Sequence, residues 1–196
     1  MLAESIKKAG YRGALFPTLE IRAACPVDAG AACEILRRSI TECCHQDHRD
    51  DPRILARWLD NKTPGTVASW FASAGNYSLV ASAATGILGV ALLTRTGRIG
   101  LCYVKPELRF AGIGEALLSS MESRAEEWQL PFIRVDSTVT ARDFYLRRGY
   151  LAGGTSAARS GIQAVSLWKY LDTNFSRSFG AQGRVKPPCL CALACR

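Results

Sequence analysis

The segment from Tyr77 to Val104 constrains the fold more than any other. Tyr77 to Ala81, Ile87 to Leu93 and Ile99 to Val104 have the length and content of strands, separated by the turn-forming pairs Thr85-Gly86 and Thr96-Gly97. Three strands on turns this short predict an antiparallel meander. The period then changes. Ile113, Leu117, Met121, Ala125 and Trp128 recur at helical spacing. Phe132 to Val135 reads as a strand, Ala141 to Arg148 as a short helix that Gly149 ends, Tyr150-Leu151 as the start of another strand and Ala164 to Leu167 as the last. Upstream, Leu19 to Arg22 alternates as a short strand, and Asp28 is placed to cap a helix carrying Ala32, Ile35, Leu36 and Ile40. Pro52 and Pro64 follow the capping residues Asp51 and Thr63 and suit the first turns of two short helices. The order β-α-α-α-β-β-β-α-β-α-β-β predicts a mixed α/β sandwich of sheet and helices.

Composition agrees with one such domain. The chain has 196 residues, and domains commonly run to ~100–200. Apolar residues make up 48 % and charged residues 21 %, which excludes wholesale disorder and collagen-like architectures. No Cys-x-x-Cys occurs among the eight cysteines, and a disulfide framework is not expected at this length without an export signal. Met1 to Glu20 carries Lys7, Lys8 and Arg12 without an apolar run or a small-residue cleavage motif. No stretch approaches the ~18 apolar residues of a membrane span. The expectation is a cytoplasmic, reduced protein that does not engage a membrane.

The formal net charge of +8 is ambiguous on its own, since it suits nucleic acid, a membrane surface or a polyanionic small molecule. Its distribution narrows the choice. From Thr173 to the end, Arg177, Arg184, Lys186 and Arg196 contribute +4 with no acid. That segment contains Pro187-Pro188, Cys189, Cys191 and Cys195 and no regular period, so residues 172–196 read as a flexible basic appendage. Four scattered charges with Phe175 and Phe179 are a poor footprint for nucleic acid. The body of the domain is placed at 19–171, after an N-terminal extension over 1–18.

The chemically informative stretch is Val104-Lys105-Pro106-Glu107-Leu108-Arg109-Phe110-Ala111-Gly112-Ile113-Gly114-Glu115. A strand ends, a short loop follows, and two glycines stand where a helix begins. The first amides of a helix lack internal acceptors and carry the positive end of its dipole, so they can cradle a phosphate. Arg109 adds donors suited to phosphate oxygens. A plain helix start is the alternative reading. There is no Gly-Lys-Ser/Thr and no third glycine, which excludes a P-loop and argues against a dinucleotide site.

Arg109-Phe110-Ala111-Gly112-Ile113-Gly114 resembles the Arg/Gln-x-x-Gly-x-Gly/Ala loop of the GCN5-related N-acetyltransferase (GNAT) superfamily. Cys102-Tyr103-Val104 with Lys105-Pro106 resembles the strand and Val-x-Pro that precede that loop. Ala141 to Tyr150 resembles the second signature, Ala-x-x-Phe-Tyr-x-x-x-Gly-Phe/Tyr. The resemblance extends from about Leu19 to Leu171. It implies a single GNAT-like domain, with a mostly antiparallel central sheet flanked by helices and two splayed strands forming an acyl-CoA site.

On individual residues, the resemblance implies that the backbone of Cys102, Tyr103 and Val104 pairs with the pantetheine arm of acetyl-CoA. Amides of Phe110, Ala111, Gly112, Ile113, Gly114 and Glu115 would hold the pyrophosphate beside Arg109. Arg142, Arg147 and Arg148, near the second signature, can face the same phosphates. Position 110 is commonly glycine in the superfamily, so Phe110 is a departure that shapes the loop. Thr138 stands where many relatives have an Asn on the cofactor. Tyr145 stands where a tyrosine often lies near the thioester sulfur and assists the departing thiolate; packing is its other reading.

A general base is not evident, because Ile99-Gly100-Leu101-Cys102 offers no carboxylate. The acidic run Glu42 to Asp51 holds both histidines, and His45, Asp47 and His48 are candidates for the acceptor side. A solvated loop with Asp51 as a cap is the plain alternative. No metal is expected, since no structural zinc spacing is present. The function implied is acetyl-CoA-dependent N-acetylation of a primary amine, small-molecule or peptidyl, by direct attack. The competing reading is an acyl-CoA-binding sensor or partner module with little or no turnover. The last strands often mediate dimers in the superfamily, which leaves a homodimer open.

Overall fold

A computed structural model describes residues 18–157 and 161–171. Strand β1 (Glu20–Ala23) leads into four helices, α1 (Ala29–Cys43), α2 (His45–His48), α3 (Pro52–Leu59) and α4 (Pro64–Ala72). The meander β2 (Asn76–Ala83), β3 (Gly86–Thr94) and β4 (Arg98–Val104) follows as expected. Helix α5 (Ile113–Glu127), β5 (Phe132–Ser137), α6 (Val139–Leu146), β6 (Leu151–Ala157) and β7 (Gln163–Tyr170) complete the described chain. The strands form one sheet in the order β1-β2-β3-β4-β5-β7-β6. Every neighbouring pair is antiparallel except β4 and β5, which are parallel.

Alternation along the strands supplies two buried faces. On one, Ile113, Leu117, Met121 and Ala125 of α5 are fully buried against Leu79, Ala91, Leu93 and Ile133. On the other, Ala32 and Leu36 of α1 and Val67 of α4 pack against Val90, Leu92 and Leu101. Burying each large aliphatic side chain contributes roughly 1.5–3 kcal/mol. A smaller cluster of Ile40, Cys44, Trp58 and Ile162 seats α3 against the end of α1. This is the mixed architecture of sheet and helices that the element order predicted, with the mostly antiparallel sheet that the family resemblance implied.

Two of the expected caps form. Asp51 Oδ1 accepts from the Arg53 amide at 2.7 Å, and Thr63 Oγ1 accepts from the Thr66 amide at 3.2 Å. Asp28 does not cap α1 with its side chain. Its carboxylate is taken by both Arg22 guanidinium nitrogens at 2.8 Å and by the Cys25 amide at 2.9 Å. A bidentate charge-assisted pair is stronger than a neutral capping bond. The acidic run, read as a loop, contains the single turn of α2. The last helix starts two residues before Ala141, because Thr138 caps it through the Ala141 amide at 3.1 Å. Among the described residues no helix is long and apolar enough to cross a membrane. The expectations for residues 1–17 and for the tail 172–196, including Cys189, Cys191 and Cys195, lie outside the described residues.

Candidate active site

The site originates in a short strand pairing. Parallel β4 and β5 are in register only at Arg98 with Arg134 and Ile99 with Val135. Leu92 pairs with Leu101 and Leu93 with Ile99, so Gly100 is an extra residue, a bulge in β4. A Cβ at Gly100 would lie 3.0 Å from Leu92 Cδ2, too close for any other residue to fit without displacing that side chain. Beyond the bulge β4 stays with β3 through Val104, while β5 turns away into α6. The edge of β4 from Leu101 to Val104 therefore has no strand partner among the described residues. Such an edge can take up an extended ligand that carries amides.

A cavity of about 380 Å³ occupies the resulting notch. Cys102, Tyr103 and Val104 line it on β4, and Val135, Asp136 and Ser137 line it on β5. At one end stand Arg109, Phe110, Gly112, Gly114 and Glu115, together with Arg147 and Arg148. Gly112 adopts φ 87 as the residue before α5, a left-handed conformation that costs glycine little. The 15-residue helix behind it points its first-turn amides at this end of the cavity. Arg148 forms an ion pair with Glu115, and its guanidinium lies 5.7 Å from the Phe144 ring centre. Arg142 is not a lining residue and pairs with Asp143 at 2.9 Å. Ala111 and Ile113 are not lining residues either; Ile113 is fully buried in the α5 core.

Tyr145 lies deeper in the notch. It is 4 % exposed and meets Phe144 and Tyr150 edge-on, with ring centres 5.1 and 5.2 Å away. The Cys102 thiol, which neighbours its hydroxyl, donates to the Gly114 carbonyl at 3.9 Å. Burial, then the neighbouring Cys102 and Tyr103, push the phenol well above its ordinary range, so it stays protonated and able to donate. Burial also raises the Cys44 and Cys102 thiols, each to about 12. Thr138 lines the cavity while its hydroxyl oxygen accepts the α6 capping bond.

His45, Asp47 and His48 are not brought to this cavity. Asp47 instead reaches the start of α6, where its carboxylate accepts from the Val139 amide at 2.7 Å, the Thr140 amide at 3.3 Å and the Thr140 hydroxyl at 2.5 Å. Its side chain also borders a separate cavity of about 150 Å³ with Arg49, Ile54 and Gln163. His48 is 1 % exposed, and its Nδ1 accepts from the Asp50 amide at 3.1 Å. His45 Nδ1 pairs with Asp50 Oδ1 at 2.7 Å. Ligand atoms of His45, His48 and Asp50 lie within 4.8 Å of one another; His45 Nδ1 pairs with Asp50 and His48 Nδ1 accepts from the Asp50 amide, whereas His48 Nε2 is buried with no hydrogen-bond partner among the described residues.

One carboxylate at the notch escaped sequence reasoning. Asp136 is the first residue of β5 past the last β4 pair, adjacent to the bulge. Arg98 holds it at 2.9 Å and the Ser166 hydroxyl at 3.0 Å. Its strand pairs with β4 only in three dimensions, and a search confined to β4 could not find it.

The Acetyltransferase (GNAT) domain model matches residues 51–171. Solved structures with the same fold include a GCN5-related N-acetyltransferase from Rhodopseudomonas palustris. It is 22 % identical, with a TM-score of 0.70 over 80 % of this chain and 98 % of its own. The PaiA N-acetyltransferase of Thermoplasma acidophilum in complex with coenzyme A is 16 % identical, with a TM-score of 0.65 over 78 % and 99 % of the two chains. The yncA protein of Salmonella typhimurium with acetyl-CoA is 17 % identical, with a TM-score of 0.60 over 80 % and 95 %. No curated protein sequence matches the chain.

Proposed function

The chain belongs to the GNAT acetyltransferase family, and from that premise we propose that it transfers an acetyl group from acetyl-CoA to a primary amine by direct attack. The observation that carries this reading is the notch. It joins an unpaired strand edge, a helix N-terminus flanked by Arg109 and Arg147, and a buried phenol within one cavity. Pantetheine amides suit the edge of Cys102 to Val104, and a pyrophosphate suits the amides of Phe110 to Glu115. Arg147 and Arg148 face the same phosphate groups. The coenzyme A and acetyl-CoA complexes among the fold neighbours support the choice of cofactor.

The chemistry follows from the side chains. The acceptor arrives as an ammonium and must lose one proton; Asp136, directly or through water, is the carboxylate placed to receive it. The freed nitrogen attacks the thioester carbonyl and the C–N bond forms; as the tetrahedral adduct collapses, the C–S electron pair leaves with sulfur and the nitrogen gives up its second proton to water. Tyr145 donates its hydrogen bond to that thiolate. Complete proton transfer would leave a buried phenolate, so the phenol acts chiefly as a stabilising donor and solvent finally protonates the sulfur. An acyl-enzyme route through Cys44 or Cys102 is disfavoured, because thiols raised to about 12 supply little thiolate near neutral pH. The test is CoA release across a panel of primary amines. Release above the hydrolytic background supports transfer. CoA binding with background release for every amine supports the sensor reading.

A further inference from the structure

Phe110 is hard to account for by folding alone. Its backbone sits at φ 65, a left-handed conformation that glycine adopts freely and a bulky residue adopts against steric resistance. The residue is 91 % exposed, so no burial against the described residues compensates. The Arg109 guanidinium lies 5.1 Å from the ring centre, a contact that orients the ring without covering it. Phe110 also lines the notch at the end where Arg109, Arg147 and Arg148 gather. A strained, exposed aromatic beside a ligand cavity points from the observed outlier to a use in binding.

We propose that the Phe110 side chain is a stacking platform for the adenine ring of the cofactor. This rests on the acyl-CoA reading above. With the pantetheine arm along β4 and the pyrophosphate over the α5 N-terminus, the adenosine would continue outward past the loop that carries this ring. A purine offers a flat π-face, and an aromatic side chain stacks on it without needing a particular hydrogen-bond pattern. Arg109 on the same ring adds positive charge near the nucleotide phosphates.

The experiment measures dissociation constants of CoA and of 4′-phosphopantetheine, which lacks the 3′-phosphoadenosine and one phosphate of the pyrophosphate, by titration calorimetry. The proteins are the full chain and its Phe110→Gly, Phe110→Leu and Phe110→Trp variants. Glycine relieves the strained backbone and leucine keeps apolar bulk without a π-face. Both should weaken CoA roughly 5- to 150-fold, the range of one base–aromatic stack, while 4′-phosphopantetheine binding holds. Tryptophan should bind CoA at least as tightly as phenylalanine. Full CoA affinity in the leucine variant, or equal losses for both ligands, overturns the stacking role. Failure of the unsubstituted protein to bind CoA overturns the acyl-CoA reading itself, a result distinct from either.

Discussion

Replacing Asp47 by alanine tests the longest-range polar contact described in the molecule. The carboxylate is 6 % exposed and accepts three hydrogen bonds at the start of α6, 92 residues further along the chain. A side-chain cap is commonly worth ~0.5–2 kcal/mol. A hydrogen bond to a charged group contributes ~1.5–3 kcal/mol, and a carboxylate at a helix N-terminus adds ~0.3–1 kcal/mol. These contributions overlap, and the freed Val139 and Thr140 groups regain water only in part, so the expected loss is about 2–4 kcal/mol. Urea unfolding followed by circular dichroism should show it as a lower midpoint at unchanged slope. Thermal melts should fall by about 5–15 °C, since one kcal/mol moves a chain of this size by ~2–4 °C. Tyr145 rides on the same helix, so turnover should fall as well. Thr140→Val removes one of the three bonds and should be non-additive with Asp47→Ala. A loss below about 0.5 kcal/mol with full additivity would show that packing alone holds α6, and the reasoning would fail.

Three other perturbations separate the roles assigned here. Tyr145→Phe should lower kcat roughly 10²-fold with little change in CoA affinity; an unchanged kcat removes the phenol from the mechanism. Asp136→Asn should lower kcat and alter the acidic limb of the pH–rate profile, with partial recovery in Asp136→Glu; an unaltered profile excludes it from proton transfer. His45→Gln probes the surface pair with Asp50. The hydrogen bond to Asp50 raises His45, and the same bond lowers Asp50. Their mutual stabilisation is therefore complete between about pH 4 and 6.5, the unfolded values. It fades as pH rises through the raised imidazole value or falls through the lowered carboxylate value. Melting differences between wild type and variant should peak in that window, and a difference flat in pH would contradict the pairing.

The elements that sequence reasoning reached are those set by local chemistry. The strand turns, at Ala84-Thr85 (one residue before the expected Thr85-Gly86) and at Thr96-Gly97, the caps Asp51 and Thr63, and the helical stripe of Ile113 to Ala125 all depend on neighbours within a few residues. What escaped depends on distant partners. Asp28 looked like a cap because nothing nearby showed that Arg22 would take both its oxygens. Asp47 looked like an acceptor-side contact because α6 is remote in the chain. Asp136 lay on a strand whose parallel neighbour cannot be read from order alone. The bulge was hidden for another reason: Ile99 to Val104, broken only by Gly100, is a nearly continuous apolar run in which alternation cannot be followed.

That bulge makes the notch a matter of counting. Ile99 packs with the α5 side of the sheet and Leu101 with the α1 and α4 side, although side chains two apart on a regular strand share a face. Removing Gly100 would make Ile99 and Leu101 neighbours, so that regular alternation keeps each in its present layer while β4 pairs with β3 without the bulge. A regular β4 would also be free to continue alongside β5 and close the gap between them. A substitution along β4 changes what lines the opening, whereas the loss of three nucleotides at one codon would decide whether there is an opening to line.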